Sequence, residues 1–167
     1  MKRVLAICVV IAFLQSYGEG PEPLDLGVVT YGEDEKIGNM VDAWHKAAAV
    51  ADSAGFFGAF YRAESIYQGT DETERWTRDE MAAWAAPYFQ REEAWTFVPD
   101  WRNVRFSKDG RIAWWDEQLD SDHMGRCRGN GIAIRTPNGW KIDHYVLSFT
   151  VPNSMVGELM ALYDNGK

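Results

Sequence analysis

Disulfides and metal clusters have little to be built from in this chain. Of its 167 residues only two are Cys and three are His. Cys8 sits in an apolar N-terminal run and Cys127 stands alone, so the exported form that the N-terminus implies has no internal disulfide. His45, His123 and His144 are scattered, and no H-E-x-x-H, paired C-x-x-C or G-x-S-x-G occurs. Zinc and serine-hydrolase readings lose their usual support, and no metal or cofactor is expected. Basic charge is also short, with 17 Lys and Arg against 25 Asp and Glu for a formal net charge of −8. Phosphate binding needs clustered Lys and Arg, so nucleic acid is excluded as a partner, and anionic membrane surfaces are a poor fit. The apolar run from Val4 to Leu14 falls short of the roughly 20 residues that a bilayer span requires. No stable membrane insertion of the mature chain is expected.

What the chain does have is apolar and aromatic mass. It is 46% hydrophobic and 14% aromatic, with eight Trp, which is too apolar for disorder and enough for a core at this length. Lys2 and Arg3, the apolar run and then Gln15-Ser16-Tyr17-Gly18 read as a signal peptide over 1–18, cut after Gly18. The protein is therefore expected to be secreted or periplasmic. Losing Lys2 and Arg3 with that segment moves the formal charge from −8 to −10.

Residues 19–33, rich in Gly, Pro and acid, read as a flexible leader. One domain is expected over 34–153, with a C-terminal helix and tail over 154–167. Asp34 is a candidate helix cap. Ile37, Met40, Val41, Trp44, Ala47, Ala48 and Ala51 form an apolar stripe at helical spacing as far as about Ser53. Phe56, Phe57 and Phe60 suggest a short helical plug, and 61–67 reads as a strand. Thr77 and Glu80 form a capping box, and Pro87 ends or kinks the helix it opens. The period then changes from 3.6 to 2, giving strands near 94–107, 111–120, 126–136 and 139–150. Lys108-Asp109-Gly110 and Pro137-Asn138-Gly139 are strong hairpin turns. Helices followed by an antiparallel meander make an α+β domain. Gly125, Gly129 and Gly131 lie in a strand with no helix after it, so they read as places where the strand bends or is overlaid rather than as a phosphate cradle.

Alternation along the meander proposes an inner face. One strand offers Ala113, Trp115, Glu117 and Leu119, the next Arg128, Asn130, Ile132 and Ile134, and the last Trp140, Ile142, His144, Val146 and Ser148. If these faces meet, an apolar cavity holds Glu117, Arg128, Asn130 and His144, as a small-molecule pocket would. A buried Glu–Arg pair that only satisfies itself is the competing reading. A slip of one residue inverts a face and would rebuild the site around Trp114, Asp116 and Tyr145.

Residues 37–153 resemble the SnoaL-like domain of the nuclear transport factor 2-like superfamily. The resemblance is carried by Asp42-Ala43-Trp44-His45 with Ala51-Asp52, by Gly69-Thr70-Asp71 with Glu74-Arg75-Trp76-Thr77, and by Pro87-Tyr88-Phe89 and Ala94-Trp95. It continues through Ala113-Trp114-Trp115-Asp116-Glu117, Arg128-Gly129-Asn130-Gly131, Gly139-Trp140-Lys141-Ile142, Ser148 and Val151-Pro152-Asn153. It implies a cone-shaped barrel, with helices packed into a strongly curved antiparallel sheet and a pocket at the open end. It also implies homodimers through the sheet. Members include ketosteroid isomerase, scytalone dehydratase and polyketide cyclases, which use a pocket Asp, Glu or His, and others that only bind or assemble. Three functions stay open. The first is binding of a small, largely apolar ligand by Trp95, Trp115 and Tyr67, with Arg128 and Asn130 as polar contacts. The second is isomerase, dehydratase or cyclase chemistry with His144 or Glu117 as general base. The third is a dimeric interaction or assembly domain.

Overall fold

A computed structural model describes residues 32–165. The expected signal segment, and the leader up to residue 31, lie outside the described residues. Helix α1 (Glu33–Ala49) is followed by α2 (Ser53–Gly58), β1 (Ile66–Gln68), β2 (Arg75–Thr77) and α3 (Arg78–Ala85). The meander then runs β3 (Val98–Phe106), β4 (Ile112–Ser121), β5 (Gly125–Thr136) and β6 (Gly139–Phe149), and α4 (Val156–Asn165) closes the described chain. The strands form one six-stranded sheet in the order β2-β1-β6-β5-β4-β3. Every pairing is antiparallel except that of β1 with β6.

Local sequence explains the helices. In α1 the stripe of Ile37, Val41, Trp44, Ala47 and Ala48 is buried, and His45 is buried with it. The helix starts behind Gly32, whose φ of 82° places it in the left-handed region that glycine tolerates. Asp34, expected as the cap, instead lies in the first turn with Glu33 and Glu35, where acids favour the positive end of the helix dipole. Phe56 on α2 is the expected plug, stacked on Trp44 at 4.9 Å. The capping box of Thr77 and Glu80 opens α3. That same Thr77 ends β2, a strand that its three-residue length hid from pattern reading. None of the described helices is long and apolar enough to cross a membrane.

The four meander strands fall where their turns predicted, but two of their faces do not. On β4 the expected residues Ala113, Trp115, Glu117 and Leu119 are inside. On β5 the inner residues are Cys127, Gly129, Gly131 and Ala133, while Arg128, Asn130 and Ile132 are exposed on the outer face. The inner set is small because β4 fills the space above it. A Cβ on Gly129 would lie 2.8 Å from Glu117 Oε1 and would also strike the Tyr145 hydroxyl, and one on Gly131 would run into the Trp115 ring. These glycines are indeed overlaid. On β6, Trp140 and Ile142 point inward as expected, and then the register slips. Ile132 pairs with His144 and Ala133 with Ile142, which leaves Asp143 as an extra residue. Asp143 turns out to accept from Ser65 Oγ at 3.2 Å and to pair with Arg62. Beyond this bulge Tyr145 and Leu147 are inside, while His144, Val146 and Ser148 lie on the other face.

Candidate functional site

Glu117 is the most deeply buried acid of the inner face, with 0% of its surface exposed. Arg102 donates to its Oε2 from Nε at 2.9 Å and from Nη2 at 2.7 Å. Oε1 lies 3.1 Å from His45 Nε2 and accepts from the Tyr145 hydroxyl at 3.0 Å and Trp115 Nε1 at 3.3 Å. An ionised carboxylate only accepts, so His45 carries a proton on Nε2. Arg102 also donates from Nη1 to the Gly38 carbonyl at 3.2 Å and pairs with Asp42 at 2.9 Å. Four elements thus supply one cluster: α1, β3, β4 and β6. Burial pushes the Glu117 carboxyl upward, but the hydrogen bond and charge of His45, with the Arg102 guanidinium, outweigh it and bring the group down to about 2. Burial, and then the Glu117 charge, hold the Tyr145 hydroxyl well above the ordinary phenol range, so it stays a donor.

Beside this cluster the interior opens. A cavity of about 150 Å³ is walled by Tyr67, Trp76, Trp84, Trp95, Phe97 and Leu147 among others, with Thr70 and Glu74 also lining it. Tyr67 is buried and stacks on Tyr145 at 5.7 Å, so its ring separates the cavity from the Glu117 cluster. The Tyr67 hydroxyl makes no hydrogen bond to the described residues, and burial, then the Glu74 charge, raise its pKa. Near-parallel rings continue outward, with Trp76 on Trp84 at 4.6 Å and Trp84 on Tyr88 at 5.0 Å. A wider depression of about 550 Å³ lies between α1, α2 and the start of β6, lined by Trp44, Ala47, Ala59, Trp140 and Lys141 among others.

The expected site residues therefore separate into three places. Glu117 and Trp115 belong to the sealed cluster, and Tyr67 and Trp95 line the cavity. Arg128, Asn130 and His144 do not share the interior with them. Arg128 pairs across the outer face with Gln118 and Asn130 with Asp116, and His144 is displaced by the bulge at Asp143. The partner of Glu117 is Arg102 rather than Arg128. Alternation could have found Arg102, since it shares a face with Val104 and Phe106, and helical spacing could have found His45, four residues after Val41. Among the described residues no group of three or more His, Cys, Asp or Glu is placed to hold a metal.

A curved, mainly antiparallel sheet wrapped on α1, α2 and α3 is the α+β cone of nuclear transport factor 2-like proteins. The model of the SnoaL-like domain matches residues 37–152, and the chain belongs to that family. Solved structures agree on the fold. A protein of unknown function from Pectobacterium atrosepticum is 15% identical with a TM-score of 0.60, covering 72% of this chain and 93% of its own. A candidate dehydratase of the family from Streptomyces avermitilis is 17% identical at 0.59, covering 72% and 97%. A candidate ketosteroid isomerase from Parabacteroides distasonis is 19% identical at 0.54, covering 70% and 86%. No curated protein matches the chain.

The lowered carboxyl has a consequence for acid stability. Its folded value lies below the unfolded one, so its contribution is complete above the ordinary carboxyl range and is lost as pH falls toward 2. That contribution is on the order of 3 kcal/mol. Glu117→Gln should be less stable than the wild type at neutral pH, and its loss of stability between pH 5 and 2 should be smaller by about that amount. Urea unfolding across that range measures both, and parallel curves would show that Glu117 is not held ionised.

Proposed function

We propose that the aromatic cavity at the mouth of the cone binds a small, largely apolar molecule. The observation that carries this reading is the cavity itself, about 150 Å³ of space walled by Tyr67, Trp76, Trp84 and Trp95. Apolar cavities of that size accept molecules on the scale of benzene. Few polar residues line it, Tyr67, Thr70 and Glu74 among them, as in a pocket whose walls are mainly apolar. Catalysis by Glu117 has less support. A carboxylate brought down to about 2 and already accepting from Arg102, Tyr145 and Trp115 is a weak base with no free lone pair aimed at the cavity. His144, the other expected base, lies beyond the sheet from the cavity.

Met81 and Met124 line the cavity, whereas Met155 and Met160 are exposed elsewhere. Methyl NMR of the labelled protein titrated with p-cresol should shift Met81 and Met124 saturably and leave Met155 and Met160 in place. Linear shifts of all four would mean adsorption to the surface and would contradict a site.

A second reading concerns the outer face of the sheet. Ile112, Trp114 and Ile132 are exposed at 40–41%, and Trp114 faces Ile132 across β4 and β5. A contiguous apolar patch of this kind marks an interaction surface, and it supports pairing of two copies through the sheet. Light scattering at micromolar concentration should give a dimer mass, and Ile132→Glu should shift it to the monomer. A monomeric wild-type protein would overturn the pairing.

A further inference from the structure

Helix α4 presents an apolar side that no described residue buries. Val156, Leu159, Met160 and Tyr163 recur at helical spacing, which sets them on one face. Val156, Met160, Leu162 and Tyr163 are 43–69% exposed, and no residue from 156 to 164 is buried. The helix is joined to the rest of the chain mainly through the turn Asn153–Met155 before it. Its ten residues are too few to stand alone, since isolated helices shorter than about 12–15 residues are marginal in water and packing of an amphipathic face supplies their stability. α4 therefore needs a surface to lie on.

Three kinds of surface are open to it. A lipid interface favours helices rich in Lys and Arg, whereas the charged residues of α4 are Glu158 and Asp164. The chain's own sheet carries the outer patch of Ile112, Trp114 and Ile132, but not where α4 begins. Ile132 pairs with His144 and Ile134 with Lys141, whereas β6 ends at Phe149. At about 3.4 Å per residue the patch lies roughly 17–27 Å back along the strand. α4 is about 15 Å long and would have to double back after Pro152 to approach it.

A second copy supplies what both surfaces lack. Three side chains exposed at 40–41% offer on the order of 250 Å², against roughly 800 Å² per partner in a stable interface. Pairing through that patch alone is too small, and the apolar side of α4 offers more surface than the patch itself. One two-fold operation lays each helix on the other copy's sheet, so both uncovered surfaces close at two copies.

We infer that α4 of one copy covers the outer-face patch of Ile112, Trp114 and Ile132 on a second copy, and the reverse. The inference rests on the proposed pairing through the sheet and names what covers the patch. Sedimentation equilibrium of the full chain tests it, using the wild type, Met160→Glu, Ile132→Glu and an equimolar mixture of the two variants. Both replaced side chains are exposed, so far-UV circular dichroism of each variant should match the wild type. Each variant alone should dissociate at least tenfold more readily than the wild type, because both of its helix–sheet contacts carry a buried charge. The mixture keeps one contact between an unaltered helix and an unaltered sheet, so its mixed dimer should be at least tenfold tighter than either variant's own. Wild-type tightness in Met160→Glu would overturn the inference while the sheet pairing stands. A mixture no tighter than the separate variants would also overturn it, since α4 would then lie on its own chain. A monomeric wild type would overturn both the inference and the pairing.

Discussion

A carboxylate with no exposed surface must be matched or neutralised, and the interior of this cone is arranged around the matching of Glu117. Moving a charge out of water costs several kcal/mol even after relaxation, and the attraction to Arg102 offsets this only when the other lone pairs are also filled. Here His45, Tyr145 and Trp115 face Oε1 while Arg102 takes Oε2. The donors come from α1, β4 and β6 and the cation from β3, so the cluster is complete only when the helix lies across the sheet in one register. Glu33 does similar work at the other end of α1, accepting from Trp140 on β6 and Arg135 on β5 at 2.8 Å each. The first helix is thereby fixed to the sheet near both ends by buried carboxylates.

This arrangement divides the inside of the cone by chemistry. The charged cluster is closed off, with its acid held ionised and its hydrogen-bonding capacity used. The space beyond Tyr67 is walled mainly by aromatic rings. Stacking of Tyr67 on Tyr145 joins the two regions, and the parallel pairing of β1 with β6 places those residues side by side. Glu117, a residue type that suggests general-base catalysis in a sequence, is here held ionised by Arg102 and the donors around Oε1.

Much of this was legible in the chain itself. The hairpin turns at Lys108-Asp109-Gly110 and Pro137-Asn138-Gly139, the capping box of Thr77 and Glu80, and the stripe from Ile37 to Ala48 all state local rules that the tertiary structure keeps. The inner face of β4, and with it Glu117 and Trp115, followed from alternation. What failed was anything that depended on a neighbour. The inner face of β5 is made of Gly129, Gly131 and Ala133 because the Trp115 ring and the Glu117 side chain occupy the volume above it, so the larger residues Arg128, Asn130 and Ile132 point away. The bulge at Asp143 answers to the Arg62 and Ser65 turn some eighty residues earlier in the chain, and no pattern within β6 announces it. Arg102 lay on an apolar face in the alternation of β3, but its partner could be identified only once the strands were in register.

The central claim is that Glu117 and Arg102 form a buried pair on which stability depends and whose charges need each other. A double-mutant cycle in urea unfolding tests it most directly, with Glu117→Gln, Arg102→Met and the two combined. Each single replacement should cost about 3–5 kcal/mol by stranding a buried charge, and the double should cost clearly less than their sum. Additive losses within about 0.5 kcal/mol would mean that the two residues act independently, and would contradict the account.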